Sequence, residues 1–381
     1  MTRKVLFVDD EPNVLQSIRR NLRKSFDVDT AAGGQEALDK IAANGGYAVI
    51  VSDMRMPGMN GVEFLSAAKT RAPDSVRMML TGNADQQTAV DAVNHGDIFR
   101  FMNKPCESDE LTAALNSGIR QHELITAEKE LLELTLRGSI DALANVLALS
   151  NPEVFGSTSR LKQRIHKIVE HMSLEDNWQY ESAAMLSKIG CIAVADELVR
   201  RKVTGHKLDN DEYAEFAEHA TVGAKLVSKI PRMEKVAQAI QYQEKGFDGS
   251  GYPKDAVRGE DIPLGGRMLK VVLDFDALEA SGAQASDAIE RLKNSPEKYD
   301  PQILAAFEKS MQADEDLVTS MVSIMQLDDS MIIAEDLQTE DGVLLIAKGQ
   351  ETTLSVRRHL PKYRDKGLIG NEILVQHPAM N

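Results

Sequence analysis

The sequence predicts a multidomain chain that opens with an α/β, doubly wound, five-stranded parallel sheet. Beyond it come a long linker helix, an all-α helical bundle and a small C-terminal α+β module. Three observations carry this reading. Short apolar runs alternate with helical patterns over residues 1 to about 120, as buried parallel strands do. Apolar residues then recur at helical spacing from Ser139 to about residue 325. The tail, 326–381, changes character again, with two short apolar runs about an Asp341-Gly342 turn.

In the first part the strand candidates are 4–9, 28–32, 47–52, 76–80 and 99–103. Five such units separated by helices make a doubly wound sheet. Pro12 stands where the first helix would begin, a place that suits a residue without an N–H. The helix starting at Asp109 has no obvious stop. Leu111, Leu115, Ile119, Leu124, Leu131 and Leu134 extend an apolar stripe to Gly138. The stretch 109–138 is therefore expected to be a linker helix, either paired with its copy as a coiled coil in a homodimer or, since the heptads are imperfect, packed only on its own domain. The helical region carries apolar periodicity in 140–149, 161–172, 182–192, 213–230 and 233–242. A stretch rich in glycine and proline, Lys245 to Gly266, interrupts it. In the tail, Met331–Leu337, Val343–Ala347 and Glu372–Gln376 read as strands, with a short helix before the last.

Composition narrows the class. The 381 residues are 43% hydrophobic and 27% charged, ordinary values for a chain with packed cores. No run of about 18 apolar residues occurs, so no membrane span is expected. Met1-Thr2-Arg3-Lys4 leads straight into a strand, so no signal peptide is expected. Two cysteines, Cys106 and Cys191, make no disulfide framework and fit a reducing cytoplasm. A net charge of −15, with no long basic run, disfavours DNA as a partner.

Chemistry-bearing residues fall at the strand ends. Asp9 and Asp10 close the first strand, Asp53 the third and Thr81 the fourth, and Lys104 follows the fifth. Open α/β sheets place their sites at this edge. Clustered carboxylates suit a hard ion such as Mg²⁺, which neutralises a phosphoryl group while one carboxylate acts as nucleophile. With the loop Asp53-Met54-Arg55-Met56-Pro57-Gly58-Met59-Asn60-Gly61, Leu80-Thr81-Gly82 and Lys104-Pro105, residues 1–120 resemble the receiver domain of two-component response regulators. The resemblance implies that Asp53 accepts a phosphoryl group from a sensor histidine kinase. It implies Mg²⁺ on Asp9, Asp10, Asp53 and the Arg55 carbonyl, with Lys104 on a phosphate oxygen. Thr81 and Phe101 would form the pair that repacks on phosphorylation.

A second string is more distinctive still: Glu244-Lys245-Gly246-Phe247-Asp248-Gly249-Ser250-Gly251-Tyr252-Pro253, with Ile262-Pro263-Leu264 and Asp276-Ala277-Leu278 downstream. It makes 139–325 resemble the HD-GYP family, helical phosphodiesterases that hydrolyse cyclic di-GMP. That chemistry needs two or three metals held by histidines and aspartates. At the positions of those ligands this chain has Thr158, Ser187, Lys188, Tyr242, Gln243 and Leu273, and only His219 survives, followed by Gly223. One imidazole does not hold a divalent site, so no metal is expected here. Glu244, a non-ligand, is kept with Gly249, Gly251, Tyr252 and Pro253 of the loop. Those glycines either serve tight turns or keep a docking surface.

These expectations make the chain a phosphorylation-controlled response regulator with a degenerate, non-enzymatic output. The output would be the binding of a signalling protein, a diguanylate cyclase being one candidate. A second reading is a cyclic di-GMP sensor that binds without cutting, with Lys188, Arg160 and Lys225 as its cations. A third is a residual phosphodiesterase. Lys188 itself is expected on a helix surface or paired with Glu244, and His219 as a satisfied, partly buried histidine. Trp178 reads as core and Cys191 as an inert thiol.

Overall fold

The computed structural model describes residues 4–44, 46–82, 98–174, 177–312, 317–339 and 341–378. The chain divides into two compact units, Met1–Thr135 and Leu136–Asn381. In the first, strands β1 (Lys4–Val8), β2 (Asp27–Ala31), β3 (Val49–Asp53), β4 (Val76–Thr81) and β5 (Arg100–Asn103) form one sheet in the order β2-β1-β3-β4-β5. All four pairings are parallel. Val5, Leu6, Phe7 and Val8 are at most 2% exposed and Val49 to Val51 fully buried, because helices cover both faces of such a sheet. The strand order reverses between β1 and β3, which opens the crevice at their C-terminal ends.

Helix α1 (Pro12–Leu22) starts on its proline, and α2 is Gly34–Asn44. Helix α3 (Gly61–Arg71) is opened by a capping box in which Asn60 and Glu63 bond each other's backbone. Gly61 is required there: a Cβ would stand 2.1 Å from the Asp53 carbonyl oxygen. Helix α4 spans Ser108–Ser150, twelve residues beyond the Gly138 stop expected from the sequence. It merges the linker with the apolar run 140–149. One glycine in an exposed helix costs only about 1 kcal/mol and does not break it. Leu111, Ala114, Leu115 and Ile119 are buried on it, whereas Leu124, Leu131 and Leu134 are more than 60% exposed.

The second unit is mostly helical: α5 (Pro152–Phe155), α6 (Thr158–His171), α7 (Trp178–Leu186), α8 (Asp196–Val203), α9 (Asn210–Val227), α10 (Glu234–Gln241), α11 (Leu264–Ala280), α12 (Ala285–Lys293) and α13 (Pro301–Gln312). Most of their apolar faces share one core that includes Leu161, Ile165, Leu186, Ile240, Leu269, Phe275 and Phe307, while α5 and α8 pack in a smaller cluster with Cys191 and Phe216. A 3₁₀ turn, Ile189–Ala193, crosses α9 where glycines meet. A Cβ on Gly190 would fall 1.9 Å from the His219 carbonyl oxygen.

The tail departs from expectation in detail. Strand β6 (Leu317–Ser323), which the sequence pattern left inside the helical region, pairs antiparallel with β10 (Glu372–Pro378) along its whole length. Small polar residues within it, Thr319, Ser320 and Ser323, hide its period. The expected strand 331–337 is two: β7 (Ile332–Ile333) joins β10, and β8 (Leu337–Gln338) pairs with β9 (Leu344–Ile346). Between the two, the Asp336 Oδ1 accepts the Lys348 N–H at 2.6 Å. Gly342 turns the hairpin with φ +80°. Helix α14 (Leu354–Asp365) completes the module. Among the described residues no helix is long and apolar enough to cross a membrane.

The glycine crossing is testable, with Trp178 as sole tryptophan reporting the second unit. Gly190→Ala should destabilise it by about 2 kcal/mol or more in urea, since neighbouring backbone must move. Gly138→Ala, with nothing within 4 Å, should instead stabilise by up to about 1 kcal/mol. Equal midpoints for the two variants would contradict the packing described.

Candidate functional site

In the first unit the strand ends bring Asp9, Asp53 and Lys104 together. The Lys104 ammonium lies 2.7 Å from Asp9 Oδ2 and 2.5 Å from Asp53 Oδ1. The other oxygens are also held: Glu11 N–H donates to Asp9 Oδ1 and Arg55 N–H to Asp53 Oδ2, both at 2.9 Å. Burial opposes the lysine charge, but hydrogen bonds to Asp53 and Asp9 hold Lys104 above its ordinary value. Asp9 and Asp53 are buried and Asp10 half-exposed. Among the described residues, no three His, Cys, Asp or Glu side chains stand close enough to hold a metal alone. Of the three expected carboxylates, Asp9 and Asp53 meet through Lys104. Two carboxylates sharing one ammonium are donors that Mg²⁺ accepts, with backbone and water oxygens completing its shell. The Thr81 hydroxyl, buried, points to Met54 Sδ (3.4 Å) and the Gly82 carbonyl (3.2 Å) and not to Asp53. Phe101 is partly buried on the neighbouring strand.

In the second unit Ser187, Lys188, His219 and Leu273 line one cavity of about 40 Å³, together with Cys191, Lys202, Glu244 and Asp276. Gln243, fully buried, donates its amide to the Ser187 carbonyl (2.9 Å) and reaches His219 Nε2 (3.0 Å). His219 Nδ1 donates to the Phe216 carbonyl at 2.7 Å, so Nε2 carries the lone pair that Gln243 meets. Burial holds His219 below the ordinary histidine value, consistent with a neutral ring. Lys188 is not on a helix surface and does not pair with Glu244. Its ammonium donates to Ser157 Oγ at 2.6 Å and lies 3.8 Å from Asp276 Oδ2. Burial lowers its pKa, with Asp276 opposing. Glu244 instead accepts the Tyr213 hydroxyl at 2.6 Å.

Two expected positions stay outside the cavity. Tyr242 turns away to donate to Asp255 Oδ2 (3.0 Å), and the Thr158 hydroxyl donates to the Phe155 carbonyl (2.7 Å) as an ordinary helix back-bond. Lys225, one of three cations considered for a nucleotide, is exposed on α9 and does not join Arg160 and Lys188. Cys191 is buried and its thiol is pushed up to about 12 by burial, so it stays a thiol.

The sequence reading missed the group that organises this site. Asp276 is 6% exposed and receives Arg160 Nε (2.8 Å), Arg164 Nη1 (3.0 Å) and Lys188. Burial alone would raise its pKa, but the three cations hold it well below the usual carboxylate range. Arg164 also bonds Glu279, and Arg160 Nη1 donates to the Lys348 carbonyl at 2.6 Å. The spacing Arg160/Arg164, one helical turn, was the available signal. Lys245 was missed as well: 1% exposed, it binds the Pro253 and Asp255 carbonyls and folds the glycine loop back on itself. Within that loop Gly251 has φ +85°, and a Cβ on it would lie 2.1 Å from the Glu244 carbonyl.

A receiver-type sheet followed by a helical metal-site scaffold defines a class, and the comparisons agree with it. Residues 5–116 match the response regulator receiver domain and residues 141–303 the HD domain. The chain therefore carries a receiver domain followed by an HD domain, and its homologues include cyclic di-GMP phosphodiesterase response regulators. It is 25% identical over 337 residues to a cyclic di-GMP phosphodiesterase of Thermotoga maritima, covering 80% of this chain and 89% of that one. A probable cyclic di-GMP phosphodiesterase of Vibrio cholerae is 24% identical over 80% of this chain and 76% of its own. The cyclic di-GMP phosphodiesterase response regulator RpfG of Xanthomonas campestris is 28% identical over 60% and 65%.

The His219 environment predicts a pH response. The unfolded histidine takes up a proton below about 6.5 whereas the folded one resists until a lower pH. Stability of the HD unit should therefore fall as pH drops from 6.5 through the depressed folded value, by up to about 1.4 kcal/mol per unit. His219→Gln should flatten that slope, read by urea titrations at pH 7.5, 6 and 5. An unchanged slope would mean that the fold does not hold His219 below its ordinary value.

Proposed function

We propose that this protein is a phosphorylation-controlled response regulator whose HD domain has lost its metals and acts through protein binding. In the receiver, Asp53 is the phosphoryl acceptor, supplied by a sensor histidine kinase. Asp9, Asp53 and the Arg55 carbonyl, with Asp10 beside them, would hold Mg²⁺, which neutralises the phosphoryl oxygens when bound. Lys104, already on both carboxylates, would follow the negative charge onto the phosphoryl group. Thr81, turned away from Asp53, would swing toward it and let Phe101 repack. Leu124, Leu131 and Leu134, exposed at spacings of seven and three, supply an apolar seam for a second copy.

The observation that carries the HD half is Lys188. It occupies a position where the family keeps a metal ligand, and its ammonium, with Arg160 and Arg164, surrounds the buried carboxylate Asp276. A divalent ion brought there meets three fixed positive charges in a medium of low dielectric. Gln243 meanwhile places an N–H donor against the His219 lone pair that a metal would need. The sensor reading loses support, since Arg160 and Lys188 are committed to Asp276.

Metal analysis of the purified chain is expected to give well under one iron, manganese or zinc ion per molecule, with no hydrolysis of cyclic di-GMP. About two ions and measurable turnover would sink this reading. In a pull-down, beryllofluoride should change the bound partners several-fold, and Asp53→Asn should abolish the change. A response that persists in Asp53→Asn would place the input elsewhere.

A further inference from the structure

Beside the 40 Å³ cavity lies a larger pocket, of about 390 Å³, within the range of small-molecule sites. Its walls are the 205–208 turn, the C-terminal half of α11, Arg291 of α12 and Tyr299. Three cations line it, Lys202, Lys207 and Arg291, and among the described residues none of them has a carboxylate partner within ion-pair distance. The one acid in the lining, Asp274, is already matched by Lys270 at 2.9 Å and by the Tyr299 hydroxyl at 2.9 Å. In a chain of net charge −15, such a pocket is a local excess of positive charge, three cations to one acid, with Lys202 also acting on Asp274.

The rest of the pocket is shaped to receive something. Tyr213 has its hydroxyl taken by Glu244, and Tyr299 by Asp274, so each offers ring surface and no free donor. Leu278 and Leu292 add an apolar floor. The rim is held in place. Gly205, at φ +79°, lets the turn press on α11, where a Cβ would meet Ser281 at 2.5 Å and the Ala277 carbonyl at 2.7 Å. Arg201, paired with Glu212, donates to the Lys207 carbonyl. Lys202 lies 5.4 Å from the Tyr213 ring centroid and 5.8 Å from that of Phe216, and it also lines the smaller cavity. A rim fixed before binding loses little freedom on binding.

We propose that this pocket binds a phosphomonoester of mononucleotide size, its phosphate held by Lys202, Lys207 and Arg291. Such a phosphate carries about −1.5 to −2 at pH 7 and several acceptor oxygens, which suits a pocket lined by three cations better than a singly charged diester does. The sugar and base, or an equivalent apolar body, lie over Tyr299, Leu278 and Leu292. The inference does not depend on whether the neighbouring cavity holds metals.

The test is calorimetry on the full chain at about 0.1 M ionic strength, with GMP, pyrophosphate and guanosine as probes. GMP is expected to bind, pyrophosphate to compete with it, and guanosine to bind at least about tenfold more weakly. Lys207→Glu combined with Arg291→Glu, both on exposed side chains, should weaken GMP by about tenfold or more. Lys229→Glu, an exposed lysine outside the pocket, should leave GMP binding as in the parent. Arg291→Ala provides a milder variant, with a loss of several-fold expected. Absence of GMP and pyrophosphate binding at millimolar concentration overturns the proposal. So does guanosine binding as tightly as GMP, a double variant that binds like the parent, or an equal loss in Lys229→Glu. Metal content and hydrolysis, which decide the proposed function, are not read by this experiment.

Discussion

A single buried carboxylate, Asp276, organises the HD domain. Taking one charge out of water costs several kcal/mol unless partners replace the lost hydration. Asp276 has three such partners, two from helix α6 and one from the segment after Leu186: Arg160, Arg164 and Lys188. Each is constrained in turn. Arg164 stacks over Phe275, 4.7 Å from its centroid, and bonds Glu279. Lys188 is tied to Ser157. Arg160 reaches on to the Lys348 carbonyl, and Gly349 keeps the approach open, since a Cβ there would lie 2.9 Å from the arginine Cβ. The packing of the C-terminal module on the bundle is thus coupled to the same charge. Removing one member would strand the others, so the group behaves as one unit, not as separable salt bridges.

The receiver uses related physics for a different end. Lys104 joins Asp9 and Asp53 and keeps two carboxylates from repelling each other across the crevice. This arrangement is left accessible, with the lysine side chain 29% exposed, whereas Lys188 is 11% exposed and enclosed. A partly exposed lysine can follow an incoming anion or yield to a cation at modest cost. An enclosed one, already matched by a carboxylate, has neither option. On the proposed reading, the contrast separates a site poised for chemistry from one committed to structure.

Much of this was legible in the sequence. The five strands of the receiver sit within a residue or two of the expected runs, most closely in β1 and β3, where nearly every side chain is buried; β2, with Asp27, Asp29 and Thr30, is the most polar. The strand-end residues Asp9, Asp53 and Lys104 followed from that topology. The second site was harder to read. Ser187, Lys188, His219, Gln243 and Leu273 do converge, but Tyr242 turns outward, since one residue's shift on a helix end rotates a side chain by about 100°. Asp276 drew notice only as part of a motif. No local pattern says that a carboxylate on α11 meets arginines on α6, more than a hundred residues earlier. Strand β6 escaped for a similar reason: its stability comes from pairing with β10, at the other end of the tail module.

The hydrogen-bond directions around His219 carry the metal question further than residue identity does. Its Nδ1 faces a backbone carbonyl, so that nitrogen must carry the proton and Nε2 must be the acceptor. Gln243 can meet both Nε2 and the Ser187 carbonyl only with its NH₂ group; turned over, its oxygen would face two other acceptors. The amide is therefore fixed, and its own oxygen is left buried with no partner among the described residues. An unpaired buried oxygen costs about 1–3 kcal/mol. The fold accepts that cost so that a neutral donor meets the imidazole at the point where, in the proposed ancestry of this domain, a cation stood. Restoring a histidine at 243 alone would then give two imidazoles competing beside Lys188 and still no metal. Recovery of a metal would require exchanging Lys188 for a carboxylate in the same step.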